Sequence, residues 1–600
     1  MSQVVDTELE EQFAQKRMSA GTFRRLLSYV EPYRRTLYLN LAFTLLATVS
    51  ALAGPQILQR GIDRYLTRVI DPDIALRGVG WISAIYLVNL LAGWGLSVIQ
   101  VRSAIAVGQG AMNDLRVAVF EHIQRLSLSF FDRTQQGRII ARADSDIDSL
   151  DRILTWGANQ LLASGLTLIG ALALMLHYDW RLCLAVSVVI PPLAWSTHVF
   201  QRRAMQAYRR LREQGSRLTA AAAEGISGVR VVQAYAREDV NLLRYQELGA
   251  EYGRRMLSAA RLFHTYLPFV GFLSGLGTAI ILGVGGYLAA RGQLTVGELA
   301  AFILYLGMFF GPIQTMGDLY NALLSTAASA ERIFSLLDTV PQIQDRPGAQ
   351  ELGPIRGHIQ FDHVWFRYDT TPADTWILRD ITLDVRPGET IALVGATGSG
   401  KSSIVSLLMR FYEPQQGRVL LDGLSVGDAT LTSLHRQIAI VTQDNFLFTG
   451  TVMDNLRFAR TDATDDEIIA DARTLGTHDV IERLKQGYAT PVGERGSSLS
   501  AGERQLICIT RAMVARPRIL ILDEATSAVD PQTEGRIQHA LEKLFERRTS
   551  VVIAHRLSTV RHASRILVLD HGAIIEQGTH AELIDRAGRY AQLYREFVRE

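Results

Sequence analysis

A chain of 600 residues is several times the usual domain length of roughly 100 to 200, which excludes a single folded core and calls for at least two units. Its net charge of +2, with lysine confined to Lys16, Lys401, Lys485 and Lys543, excludes a dedicated nucleic-acid binder. Cys183 and Cys508, far apart in sequence, exclude a disulfide framework or a cysteine-based metal site and suit a reducing compartment.

The first stretch, MSQVVDTELEEQFAQKRMS, is acidic and polar and lacks the basic, apolar, small-residue order of a secretory signal, so residues 1–18 read as a cytosolic tail. Six runs free of Asp, Glu, Lys and Arg follow: 36–59, 78–101, 153–176, 182–201, 262–290 and 299–317. Each is close to or above the roughly 20 residues that cross a bilayer as a helix. One such run would pass as a buried core helix; six within 19–338 predict a six-helix membrane domain. The long second and fourth connections are arginine-rich, with Arg202, Arg203, Arg209, Arg210 and Arg212 opening the latter, whereas HYDWR and RGQLTVGE are short. That asymmetry places the long loops and both termini in the cytoplasm.

Spacing such as Leu211, Leu218 and Ile226 predicts that the membrane helices continue into these loops. SLSFFDRTQQGR and VVQAYARED mark the places where helical pairs bend and dock. Gly271 and Gly275, with Gly277, Gly283, Gly285 and Gly286 further along, predict close helix approach, and Pro191, Pro192, Pro268 and Pro312 predict kinks. His198, His264, Gln314 and Asp318 are polar groups in or beside spans, suited either to interhelical bonding or to a substrate path.

Pro341, Pro347 and Pro354 within 339–356, with no apolar periodicity, make that stretch a linker. From 357 to 600 strand-like runs (HIQFDHVWF, TIALVG, RVLLD, QIAIVTQ, RILILDEA, SVVIAH, RILVLD) alternate with helical stretches, an α/β pattern. GATGSGKS at 395–402 fits the phosphate-loop spacing between a strand and a helix. Gly395, Gly398 and Gly400 let backbone N–H groups converge on phosphates, Lys401 reaches the terminal ones and Ser402 offers a hydroxyl to Mg2+. Ala396, Thr397, Ser399 and Ser403 complete the cradle. RILILDEAT ends in two carboxylates: Asp523 on the Mg2+ side and Glu524 placed to orient or deprotonate the attacking water.

These motifs, in this order over nearly the whole chain, resemble those of the ABC transporters, specifically exporter-type (type IV) half-transporters of the multidrug and lipid kind. The resemblance implies a membrane α-helical domain of six spans with long cytoplasmic extensions, followed by an α/β phosphate-loop nucleotide-binding domain. It assigns Tyr368 to stack on adenine, Gln443 to Mg2+ and the water, and His555 to the γ-phosphate. It assigns 527–530, ending at Asp530, to a loop crossing a dimer interface, and SLSAGERQ to the family signature. Lys401, Gln443, Glu524 and His555 are then the catalytic set, and Ser402, Gln443 and Asp523 the metal set. Ser500, Ala501, Gly502 and Glu503 act on ATP held by the partner chain. The loops near 133 and 237 become coupling elements.

Residue spacing adds that Ser500 and Glu503 form an S-x-x-E capping box, opening a helix that runs to about Ala515. Capped or not, such a terminus offers N–H groups and positive potential to an anion. The signature departs from the common LSGGQ at Ala501 and Glu503, which favours a heterodimer over a homodimer. The reading is an ATP- and Mg2+-dependent exporter in the cytoplasmic (inner) membrane, moving a small hydrophobic or amphipathic substrate such as a drug, lipid or peptide. Its partners are membrane lipid and a second half-transporter chain, with no nucleic acid. An importer of metal chelates on the same fold and a soluble signature-bearing ATPase are the alternatives.

Overall fold

The computed structural model describes residues 20–599 except 68–70, 373, 524–529, 555–559 and 562, with the backbone alone at 20, 152–153, 156, 158, 313–325 and 597–599. The chain divides into two compact units, Met1–Gln124 with Gln136–Thr339, and Arg125–Gln135 with Val340–Glu600.

The first unit is helical. Its main elements are α1 (Ala20–Val30), α2 (Arg34–Gly61) and α3 (Pro72–Arg125). After α4 (Leu128–Arg133), which belongs to the second unit, come α5 (Ala158–Tyr178), α6 (Trp180–Ser187) and α7 (Ile190–Ser227). Then follow α8 (Val229–Ala234), α9 (Glu238–Ile280) and α10 (Val296–Leu337). Four helical stretches are long and apolar enough to cross a membrane, Gly21–Leu66, Pro72–Arg125, Asn159–Tyr178 and Glu238–Ala290. These hold the first, second and fifth charge-free runs and most of the third. The fourth run lies in α6 and α7, a pair bent by 42°, and the sixth lies in α10, whose described apolar part is Val296–Pro312. At 54 residues α3 is about 80 Å long, so it extends well past any hydrocarbon core.

Pro191 and Pro192 sit at the start of α7, where a proline's missing N–H is harmless, next to the bend. Pro268 and Pro312 lie inside unbroken helices. The glycine expectation is partly corrected. Gly271 and Gly275 face open space among the described residues; the glycines that meet a neighbouring helix are Gly277, against Leu306, and Gly285, against Leu299 and Leu182. Polar groups in the spans are bonded across helices: Asn40 Nδ2 donates to the Gln100 carbonyl (2.8 Å), and Thr44 Oγ1 to Asn159 Oδ1 (3.1 Å). Tyr305, fully buried on α10, donates to the Leu52 carbonyl of α2 (2.6 Å) and stacks on Tyr178 of α5. His198 and His264 are exposed, and the side chains of Gln314 and Asp318 lie outside the described residues.

In the second unit the strands are β1 (Ile359–Phe366), β2 (Leu378–Val385), β3 (Thr390–Val394), β4 (Gln416–Leu421), β5 (Leu424–Ser425) and β6 (Ile438–Val441). They continue as β7 (Gly450–Thr451), β8 (Pro491–Val492), β9 (Ile519–Asp523), β10 (Thr549–Ile553), β11 (Arg565–Asp570) and β12 (Ala573–Gly578). A six-stranded sheet runs β12-β11-β3-β10-β9-β6, parallel except for the antiparallel edge strand β12. Its inner strands are buried nearly throughout, as parallel strands covered on both faces must be. A second, antiparallel sheet runs β2-β1-β4-β5. Every expected strand is present. Two substantial strands were not expected: β2, which alternates buried and exposed residues in LRDITLDV, and the edge strand β12, AIIEQG.

Removing the Tyr305 hydroxyl leaves the α2–α10 contact one hydrogen bond short. Tyr305→Phe is expected to destabilise the helical unit by about 0.5–1.5 kcal/mol, read as a lowered thermal midpoint in detergent; an unchanged midpoint would show the bond contributes nothing.

Candidate nucleotide-binding site

Strand β3 delivers the chain into the 395–400 turn, and helix α11 (Lys401–Leu408) leaves it. Gly400 caps that helix at φ +105°, a left-handed backbone that only glycine adopts without strain. A Cβ there would also stand 2.6 Å from Leu378 Cδ2 and 3.2 Å from the Ile377 carbonyl. Ala396, Thr397 and Gly398 are exposed, and a Cβ on Gly398 would meet nothing within 4 Å, so the loop curls around open space. The Lys401 and Ser402 N–H groups at the start of α11 are left for that opening, since the Ser403 N–H already donates to the Gly400 carbonyl (3.1 Å).

Lys401 is 7% exposed, and its Nζ donates to the Gly395 (2.8 Å) and Ala396 (3.0 Å) carbonyls of its own loop. Burial holds its ammonium below the ordinary lysine range, and the Asp523 carboxylate partly opposes that shift. Ser399 Oγ is buried without a hydrogen-bond partner among the described residues. A buried cation, an orphaned hydroxyl and free helix N–H groups around one opening form a set that fits a phosphate chain.

The other predicted groups gather at the same edge of the sheet. Asp523 ends β9, and Gln443 lies exposed two residues beyond β6, its parallel neighbour. Ser402 Oγ, Asp523 and the Gln443 amide are hard oxygen donors of the kind Mg2+ takes. Ser403 is buried on α11, and its hydroxyl shares a 3.0 Å hydrogen bond with the Tyr368 hydroxyl. That bond holds the Tyr368 ring beside the loop, edge-on to Phe366 and Tyr412. Glu524, 527–529 and His555 fall outside the described residues; β10 reaches Ile553, opposite both Leu393 and Asp523. Asp530 is described, and its carboxylate accepts from Thr533 N (3.0 Å) as the cap of the helix Pro531–Phe545.

The signature serine is a cap. Ser500 Oγ accepts from Glu503 N (3.3 Å), while Glu503 Oε2 accepts from Ser500 N (2.7 Å) and Ser500 Oγ (2.8 Å). The helix it opens, α12 (Ala501–Val514), is buried on all sides from Gln505 to Thr510, with Leu506, Ile507, Ile509 and Val514 in the core. Ser500 is exposed, Ala501 and Glu503 half-buried and Gly502 buried.

Known proteins carry the same two parts. The ABC transporter transmembrane region matches residues 37–313, and the ABC transporter family matches residues 378–527. An ABC transporter ATP-binding protein of Bacillus subtilis (strain 168), YknV, is 38% identical over 570 residues, covering 95% of this chain and 93% of that one. The ATP-dependent lipid A-core flippase of Syntrophus aciditrophicus (strain SB) is 36% identical over 573 residues, 95% of this chain and 94% of the relative. A bacterial Atm1-family ABC exporter, solved with ATP bound, is 30% identical, with a TM-score of 0.77 over 94% of this chain and 98% of the other.

The chain belongs to the ABC transporters, as an exporter-type half-transporter. The transporter binds ATP and hydrolyses it to drive transport.

The docking turn was expected from sequence, but the residues that it meets in the transporter were not. Helix α4, in the SLSFFDRTQQGR turn, lies within the second unit. Arg133 forms an ion pair with Asp369, the residue after Tyr368, and Asp132 accepts from the Tyr412 hydroxyl. The RFYEP stretch that supplies Tyr412 directly follows α11, so an aromatic at the exit of the phosphate-loop helix was the available signal.

In Gly400→Ala the added methyl meets both strain and Leu378. ATP binding, measured by fluorescent-nucleotide titration, is expected to weaken at least tenfold, as backbone incompatibility plus a clash implies. Wild-type affinity would disprove this account of the turn.

Proposed function

We propose that the transporter is an ATP- and Mg2+-dependent exporter of an uncharged amphipathic compound, working across the cytoplasmic membrane as a dimer of half-transporters. Residues 19–338 are its six-helix membrane domain, 1–18 its tail, 339–356 its linker and 357–600 its nucleotide-binding domain. The observation that carries the reading is the meeting of the phosphate loop, Asp523 and the β6 exit bearing Gln443 at one end of a parallel sheet, the place where such sheets bind ligands. An arginine-rich face on α7, with Arg202, Arg203, Arg209, Arg210 and Arg212 exposed, supports a cytoplasmic placement of the long loops.

Within that site Lys401 neutralises the terminal phosphates, Tyr368 stacks on the base, and Ser402, Gln443 and Asp523 hold the metal. Mg2+, when bound, supplies charge neutralisation on the β- and γ-oxygens. Glu524 accepts the proton of the attacking water, and His555 donates to the γ-phosphate. Head-to-tail closure brings the partner chain's signature helix to the same phosphate.

For the substrate, support comes from a cavity of about 380 Å³ among α2, α3 and α10. Its walls include Ser50, Tyr86, Asn89, Trp94 and Met308, without a charged residue. Asn89 Nδ2 donates to the Ser50 carbonyl (3.0 Å), and with Ser97 these groups give a largely apolar wall a polar patch. The relative named as a lipid A-core flippase acts on an amphipathic, chain-bearing molecule, which agrees with the amphipathic part of this reading.

For the partner, support for a heterodimer lies in the start of α12. The Glu503 carboxylate already accepts from the N–H and hydroxyl of the cap residue Ser500, where it offsets the helix-end potential that would draw a phosphate. A chain so equipped serves its partner's site less well than one with glutamine there.

Two outcomes test this reading. Glu524→Gln is expected to lower steady-state ATPase about a hundredfold or more with ATP binding retained; undiminished turnover sinks the assignment. Ser500→Asn keeps a good cap and a donor toward Glu503 while adding bulk over the helix start, so the thermal midpoint should hold while ATPase of the assembled dimer falls roughly tenfold or more. Unchanged ATPase would mean that α12 only caps and meets no phosphate.

A further inference from the structure

The stretch read from sequence as a linker is a docked strap. Arg410, two residues beyond α11, is 1% exposed and stands at φ +52°. Its Nη2 donates to the Gln344 carbonyl (3.0 Å), its Nη1 to the Ala429 carbonyl (2.9 Å) and its Nε to Glu413 Oε1 (3.1 Å). A buried guanidinium at a strained backbone angle persists only when its surroundings fix it, and here two carbonyls and a carboxylate do so. The strap is tied further along its length. Asp345 Oδ1 accepts from Leu431 N (2.8 Å), and Arg346 pairs with Glu413 (3.0 Å) and Asp428 (3.3 Å). Gln350 N donates to the Asp428 carbonyl (2.8 Å), and Leu352 N to Ser433 Oγ (3.0 Å).

At its front end the strap reaches both the coupling turn and the nucleotide site. Ile343 N donates to Ser127 Oγ (2.8 Å), and Ser129 Oγ, buried on α4, donates to Gln342 Oε1 (2.6 Å). The amide nitrogen of the same Gln342 donates to Asp369 Oδ2 (3.2 Å), the carboxylate that also binds Arg133. Asp369 neighbours Tyr368, so one carboxylate is shared by the nucleotide side, the coupling helix and the strap. Hydrogen bonding from Arg133, with a smaller contribution from Gln342, holds that carboxyl below the usual aspartate range.

We propose that the strap 342–352 is a working part of the coupling apparatus, in which Gln342 and Arg410 are positioning residues that keep Asp369 set against Arg133, so that nucleotide state at Tyr368 is transmitted to α4. Arg410 fixes the strap to the end of the phosphate-loop helix. Gln342 then spans Ser129 and Asp369 with its two amide atoms, a bridge that neither alanine nor glutamate can form, since the first has no polar atom and the second no donor. The proposal rests on the nucleotide site described above.

Hydrogen exchange of the full-length transporter in nanodiscs of phosphatidylethanolamine and phosphatidylglycerol, with and without ATP plus vanadate, tests it. In the unsubstituted chain both 395–403 and 125–135 should slow. In Gln342→Ala the ATP-dependent slowing at 125–135 should fall roughly five- to tenfold, the scale of one to two net hydrogen bonds. Slowing at 395–403 should persist, and the KM for ATP should stay within about twofold. Ser129→Ala should behave alike, and Ser129→Thr, which keeps the hydroxyl, should restore the response. Arg410→Lys should add faster exchange along 342–352. An unaltered response at 125–135 in Gln342→Ala, or a parallel loss at both segments with a lowered thermal midpoint, overturns the strap's role. No protection of 395–403 in the unsubstituted chain would instead remove the nucleotide site, and the strap's role with it.

Discussion

Ile553, the last residue of β10, stands opposite Leu393 on one side and Asp523 on the other. That double register is the constraint on which the site depends. A strand's side chains alternate faces, so a slip of one residue would turn Asp523 away and shift the β3 exit relative to it. The register is held by a nearly uninterrupted apolar core on both faces of the sheet, with Leu393, Leu522, Val552 and Leu567 all buried. Burial on that scale, at about 1.5–3 kcal/mol per large side chain, is what can hold the Lys401 ammonium beneath the surface among carbonyls.

The sheet also explains why much of the site was legible in sequence. The phosphate loop is contiguous: strand, glycine turn, lysine and helix follow within a dozen residues, and each local preference agrees with the fold. The same holds for Ser500 and Glu503, three residues apart and one helical turn from each other. The charge-free runs were legible because hydrocarbon tolerates almost nothing else. By contrast, Gly271 and Gly275 carried a packing motif that the described chain leaves facing open space, while Gly277 and Gly285 meet partners. Spacing gives a helix face, but which neighbour lies against that face is a tertiary fact.

The partners of the strap and of the coupling turn were illegible for a related reason. Ser129 and Gln342 are 213 positions apart, and Arg133 and Asp369 are 236 apart. Proline and the loss of periodicity in 339–356 correctly indicated an irregular segment, yet irregular backbone still needs hydrogen-bond partners. Here Arg410, Asp428, Ser433 and Ser127 supply them, from four separate places in the chain. Arg410 reads in sequence as an ordinary surface arginine after a helix, and its 1% exposure is set entirely by what folds over it.

The choice of polar rather than apolar contacts at the coupling turn has its own logic. The Arg133–Asp369 pair is exposed on both sides, and such pairs contribute at most about 1 kcal/mol. The bonds of Gln342 are of similar size, since a typical net hydrogen bond contributes about 0.5–1.5 kcal/mol. A turn held by one large buried aromatic would resist rearrangement by several kcal/mol. Several weak, directional bonds sharing Asp369 can be re-aimed together by a shift at Tyr368 comparable to one ligand contact. Directionality then does what strength does not: each bond fails with geometry long before distance, so a small rotation of the carboxylate alters its bonds to Arg133 and Gln342 together.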